Sequence, residues 1–254
     1  GDGFAAGTVN SFYVKVTKSI TVTINGTDSN AWGTLRNTVG SLRAGSTIII
    51  KGEIKATSDP GNSGEIIIDK DLTIEAKTGT ATLDANSNHS GTSPADAPAT
   101  KHRIFRVKDG KQLTLKNLTL KNGYAGKSTV DNLGTTGGGI RLESGTVSLS
   151  GVTISDCKAR TTPVLGGTGS WHGDGGGIYV KSGTLTINNS MLYANEASKS
   201  GGAIYADAGT TVELDICTIQ NCKASDGGAI YNDKGSLTIK GASVIKGNEV
   251  TNNG

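Results

Sequence analysis

Tyr179, Tyr205 and Tyr231 recur at intervals of 26 residues, and Arg141 stands 38 residues before the first of them. Each lies between an isoleucine and a further short side chain, as in Ile140-Arg141-Leu142, Ile178-Tyr179-Val180, Ile204-Tyr205-Ala206 and Ile230-Tyr231-Asn232. In an extended strand, successive side chains point to opposite faces, so inward isoleucines turn these rings and the arginine outward. Repetition at one position predicts a ladder of three tyrosines continued by Arg141 and by Arg106 before it. Such a ladder can serve as a platform for sugar rings or a partner chain. It can equally be stabilisation alone, at about 0.5–1.5 kcal/mol per stacked pair.

Trp171-His172 is the other unusual pair, set in a polar, glycine-rich stretch. Read functionally it is a binding loop held on a scaffold; read plainly, Trp171 packs down on the body of the protein. His172 and Asp174 do not make a zinc site, which needs three or four ligands at close, fixed spacing. His89 and His102 read as surface-loop residues. Calcium needs six or more converging oxygens, and the Asp-Gly-Gly runs at Asp174 and Asp226 are explained by turns. Glycoside hydrolysis needs two facing carboxylates. The acid pair Asp69 and Asp71 sits at a turn, and the outward positions Thr114, Ser148, Thr186 and Thr238 carry one acid among them, Glu213. No catalytic residue, metal site or cofactor is assigned.

The elements that position these residues follow one repeated pattern. Glycines at 138–139, 176–177, 202 and 228 precede Ile140, Ile178, Ile204 and Ile230. A turn follows, then an alternating strand (Val147-Ser148-Leu149, Leu185-Thr186-Ile187, Val212-Glu213-Leu214, Leu237-Thr238-Ile239), then a third short strand ending at Ile154, Leu192, Ile219 and Ile245. A hairpin meander gives no reason for one register to recur, whereas stacked coils do. The fold expected is all-β: a single-stranded, right-handed parallel β-helix, pectate-lyase-like, of about seven coils. Weaker forms of the pattern run upstream through Phe105-Arg106-Val107, Ile66-Ile67-Ile68 and Ile48-Ile49-Ile50.

Residues 1–30 read as lead-in strand, with Ser19 to Ile24 alternating. Residues 31–43 read as an amphipathic capping helix, with Trp32, Leu35, Val39 and Leu42 on one face and Asp28, Ser29 or Asn30 as N-cap. Residues 44–254 form the helix of strands, expected to continue past Gly254. Long loops are expected at about 84–103, 123–136 and 159–174, all in one segment of the coil and therefore on one side. Cys157, Cys217 and Cys222 read as buried thiols, the first and last being two coils apart and too distant for a disulfide. Asn195 and Asn248 read as turn residues that satisfy local backbone.

The pairing of Gly-Gly-Ala-Ile (Gly202 to Ile204, Gly228 to Ile230) with an apolar-x-x-Asn tetrapeptide (Leu192 to Asn195, Ile245 to Asn248) resembles the repeats of chlamydial polymorphic outer-membrane proteins. β-Helical surface proteins of other Gram-negative bacteria and spirochaetes are similar. Aliphatic residues stand where that family favours Phe, and Cys157 and Cys222 replace its Asn. The resemblance implies a bacterial protein of the cell surface or outer membrane, or a secreted one, that binds a host-surface protein or glycan. The alternatives are a polysaccharide lyase or hydrolase and a purely structural spacer.

The formal charge of +3 over 254 residues gives little support for nucleic-acid binding. No stretch is long and apolar enough to enter a membrane. The expected binding residues are Tyr179, Tyr205, Tyr231, Arg141, Trp171 and His172.

Overall fold

In a computed structural model, residues 19–87, 101–126, 135–160 and 173–251 are described. The strands coil into a parallel β-helix, because each coil places the same apolar positions over those of the coil before. Ile140, Ile178, Ile204 and Ile230 pair in register, as do Leu113, Val147, Leu185, Val212 and Leu237. Every strand pairing among the described residues is parallel, and seven coils follow the lead-in strand Thr21–Asn25.

Each complete coil contributes to four sheets, where three strands were expected. The first sheet holds the tyrosine strands, from Ile66–Ile68 to Ile230–Asn232, and the second is the longest, running from Thr21–Asn25 to Ser236–Lys240. The third runs from Glu53–Lys55 to Val244–Lys246. The fourth is made of two-residue strands: Tyr124–Ala125, Lys158–Ala159, Glu196–Ala197, Lys223–Ala224 and Glu249–Val250. The first four each tuck one small residue inward, and Ala125, Ala159, Ala197 and Ala224 are all buried. Outward, Lys158, Glu196, Lys223 and Glu249 alternate in sign, with pairs at 3.5 Å and 2.6 Å.

This strand corrects two loop boundaries. Tyr124–Ala125 and Lys158–Ala159 belong to the coil wall, and Thr136 and Asp174 are buried at the far ends of the same connections. What remains of those two loops lies mostly outside the described residues, together with Trp171, His172 and His89.

The glycines have distinct tasks. Gly175 has φ of +66° and turns the chain into the tyrosine strand. A Cβ on Gly176 would lie 2.4 Å from the Gly202 carbonyl oxygen and 2.5 Å from the Glu196 carbonyl carbon, so backbone fills that space.

The N-terminal end is covered by the helix Ala31–Ser41, whose Trp32, Leu35 and Val39 are buried, with Leu42 just beyond it. Asn30 stands at the N-cap but makes no side-chain capping bond. Tertiary bonds hold the helix instead: Trp32 Nε1 donates to the Gly64 carbonyl at 2.8 Å, and the Gly33 amide donates to Asn62 Oδ1 at 3.1 Å. His102 is not a surface-loop residue. Its ring packs on Trp32 at 5.1 Å, and Nδ1 donates to the Arg103 carbonyl at 2.8 Å. Its Nε2 is buried and meets no partner.

All three cysteines are buried free thiols. Asn195 and Asn248 do not serve their own turns. Their side chains face the preceding coil, where their Oδ1 atoms accept the amides of Cys157 and Cys222.

Candidate functional site

The tyrosine ladder forms along the outer face of the first sheet. Tyr179 stacks on Tyr205 with centroids 5.2 Å apart and planes 7° from parallel, and Tyr205 stacks on Tyr231 at 5.3 Å and 2°. The Arg141 guanidinium carbon lies 4.9 Å from the Tyr179 ring centre, and Arg106 pairs in register with Arg141. In-register parallel strands repeat every 4.7–4.9 Å, and a flat ring laid over its counterpart at that step is in stacking range.

The Arg141 end of the ladder is buried: Arg141 is 4% exposed and Tyr179 8%. The buried end is tied to neighbours. Arg141 Nε lies 2.6 Å from Glu143 Oε1, and Arg141 also donates to the Thr136 hydroxyl. Tyr179 donates its hydroxyl to Asp207 Oδ2 at 2.6 Å, one coil further on. Arg141 and Tyr179 therefore offer no open platform: both are buried, and their polar groups are engaged by Thr136, Glu143 and, from the next coil, Asp207.

Stacking has a second consequence. Each ring face covers the next, so the ladder shows the solvent ring edges and hydroxyls, not faces. A sugar packs its C–H face against an aromatic face. Along this ladder both faces of Tyr205 are covered by rings, and those of Tyr179 by the Tyr205 ring and the Arg141 guanidinium. Burial, and then the carboxylates of Asp207, Asp174 and Asp233, raise the Tyr205 phenol above its ordinary range. Burial, and then the bond to Asp207, do the same for Tyr179. Both remain neutral hydroxyls in the physiological range.

Other candidate positions form no catalytic cluster. Thr73, Thr114, Ser148, Thr186, Glu213 and Thr238 line up along the outer face of the longest sheet, with Glu213 as the single acid. Asp71 Oδ1 accepts the Gln112 amide, and Asp69 pairs with Lys70. Asp174 Oδ1 accepts the Ser200 amide. Among the described residues, no group of three or more His, Cys, Asp or Glu side chains could hold a metal ion.

Sequence reasoning missed the corner between the second and third sheets. A groove of about 530 Å³ opens there, lined among others by Thr153, Asn189, Met191, Ile216 and Thr218. The signal lay in two broken rows. In the five second-sheet strands from Lys111–Lys116 onward, the residue two places after the last inward side chain is Asn117, Gly151, Asn189, Ile216 or Gly241, and all five have positive φ. Outward in the third sheet, Thr82, Thr119, Thr153 and Thr218 share a row with Met191.

The comparison with known families rests on the coils. The family model described as "right handed beta helix region" matches residues 99–254. No curated protein and no solved structure matches the chain.

Proposed function

We propose, from the premise that this chain belongs to the right-handed β-helix family, that it is a bacterial cell-surface rod that binds a partner and catalyses no reaction on it. A rod of stacked coils presents long register-matched rows, which suit contact with an extended partner. The repeat pairing that resembles chlamydial surface proteins supports the surface location and a host-surface protein or glycan as partner.

The observation that carries the reading is the ladder itself, three tyrosines in stacked register that turn ring edges and hydroxyls outward beside Asp207 and Asp233. Exposed tyrosines give large, rigid, amphipathic contact area at low entropic cost. Because the ring faces cover one another, the ladder suits a protein chain that meets edges and hydroxyls better than it suits a row of sugars.

The test is binding of the protein to immobilised extracellular-matrix proteins, with Tyr231→Ser and a Tyr205→Ser/Tyr231→Ser pair compared with the unaltered chain. The expected result is progressive loss of binding, at least about thirtyfold for the pair, which corresponds to one lost contact of hot-spot grade, about 2 kcal/mol. Unchanged binding, or cleavage of pectin or another polyuronate by the purified protein, overturns the reading.

A further inference from the structure

Ile216 breaks a rule of the backbone. It has φ of +54° and is 54% exposed. L-residues pay for this left-handed conformation, and β-branched ones most, which is why the same turn in other coils uses Asn117, Gly151, Asn189 and Gly241. Nothing in the packing asks for isoleucine, since the side chain points to solvent. Met191, one coil earlier, stands outward between Thr153 and Thr218 and interrupts the run Thr82, Thr119, Thr153 and Thr218, in a row that ends in Glu53 and Val244. The two departures converge on one groove of about 530 Å³, a size that accepts a small ligand.

Polar groups with unused capacity stand beside them. The Asn189 amide and the Thr153 and Thr218 hydroxyls make no side-chain hydrogen bond among the described residues and line the same groove. Thr153 and Thr218 are two rungs apart, so their hydroxyls are separated along the rod by roughly 10 Å. None of the lining residues is charged, although 19% of the chain is. An ionic ligand would therefore lose water in this groove without gaining a counter-charge.

We propose that this corner groove binds a short neutral oligosaccharide, with Ile216 and Met191 against its C–H faces and Asn189, Thr153 and Thr218 bonding its hydroxyls. Alternating C–H and O–H surface is what a neutral sugar chain presents, and an amide between two hydroxyls can both donate and accept. The site is separate from the tyrosine ladder, so the two proposals fail independently.

The substitutions that test it restore the rule at each broken position. Ile216→Asn places in the left-handed turn the residue used at Asn117 and Asn189, and Met191→Thr makes the run from Thr82 to Thr218 all threonine. The double variant is expected to melt at the same temperature or about 2–4 °C higher, as relief of the turn predicts. It is also expected to lose at least fivefold in binding. The readout is titration of the whole chain with neutral gluco-, manno-, xylo- and N-acetylglucosamine hexasaccharides, beside hexagalacturonate. A neutral hexasaccharide bound by the unaltered chain and weakened in the double variant, with Tyr205→Ser/Tyr231→Ser unaffected, supports the proposal. Three results would each overturn it: no binding of any neutral member, preference for hexagalacturonate, or equal binding by the double variant.

Discussion

Asn195 clamps its coil to that of Cys157: its Oδ1 accepts the Cys157 amide at 3.1 Å, while its Nδ2 donates to the Ile154 carbonyl at 2.9 Å. Asn248 repeats the arrangement on Cys222 at 2.9 Å and Ile219 at 3.0 Å. One side chain thus satisfies two backbone groups of the coil before it at a place where the strands turn. Replacing Asn195 by Ala leaves a buried donor and a buried acceptor without partners. At about 1–3 kcal/mol for each such group, the variant should lose about 2–5 kcal/mol in equilibrium urea unfolding. A loss below about 1 kcal/mol would show that water takes over both bonds.

The glycine pair should respond unequally to alanine. A Cβ at Gly176 meets backbone of two neighbouring segments, so Gly176→Ala must displace the coil and should cost at least about 3 kcal/mol. A Cβ at Gly177 would meet one backbone atom, the Ala203 carbonyl oxygen at 2.7 Å; that position already holds Ala203 and Ala229 in later coils, so Gly177→Ala should cost less than Gly176→Ala. Thermal melts of the two variants make the comparison; equal losses would refute the assignment of separate tasks.

Within the ladder, Tyr205 has two ring neighbours. Tyr205→Ala should therefore lose about 1–3 kcal/mol, from two pairs at about 0.5–1.5 kcal/mol each. Tyr179→Phe keeps the ring and loses only the hydroxyl bond to Asp207, a charged acceptor, at about 1.5–3 kcal/mol. Denaturant midpoints of both variants check this, and a neutral Tyr179→Phe would show that the Asp207 contact is idle.

His102 should make stability depend on pH. Burial is the largest cause holding its imidazole below the ordinary 6.5. The Arg36 and Arg103 charges push the same way, while the Arg103 carbonyl and Glu65 oppose them. The unfolded chain therefore binds the proton more readily. This group's contribution is fully present above about pH 6.5 and falls as pH drops through that value, levelling off at the folded pKa. The slope is at most about 1.4 kcal/mol per pH unit. Urea midpoints at pH 7.5 and 5.5 should fall on acidification, and His102→Gln should flatten the difference. An unchanged slope in that variant would assign the pH effect to other groups.

The thiols should be inert in the native state. Burial pushes Cys157 up to about 12 and Cys222 up to about 11, and raises Cys217 in the same direction. Only the thiolate is nucleophilic. An alkylating reagent at pH 8 should leave all three intact in the folded protein and modify all three in denaturant. Rapid native labelling of any one would show that its coil opens.

The coils were legible because their signals repeat: glycines before Ile140, Ile178, Ile204 and Ile230, and alternation in the following strand. The fourth strand escaped notice because two residues are too few to show a period. Yet Ala125, Ala159, Ala197 and Ala224 each stand five places after the inward residue of the third strand, Leu120, Ile154, Leu192 and Ile219, and that offset would have revealed it. Asn195 was read as a local turn residue because its partners lie 38 and 41 positions back in the chain. The direction of the tyrosines followed from alternation, but the engagement of Arg141 and Tyr179 by Thr136, Glu143 and, from the next coil, Asp207 did not, since it depends on side-chain reach. His102 looked like loop because nothing local shows that Trp32, 70 positions earlier, packs on its ring.

The account stands on one coil per repeat, whatever the length of chain between. Thr47, Thr114 and Thr238 lie in one outward row of the longest sheet, with Thr47 six rungs and Thr114 four rungs from Thr238. Nitroxide pairs placed by Cys substitution at 47/238 and 114/238, with distances read by pulsed electron resonance, measure the rise directly. At about 4.8 Å per rung the backbone separations are roughly 29 Å and 19 Å, so the two distances should differ by about 10 Å. A difference near zero, or one that scales with the 67 residues between positions 47 and 114, would contradict the stacked coil and every surface built on it.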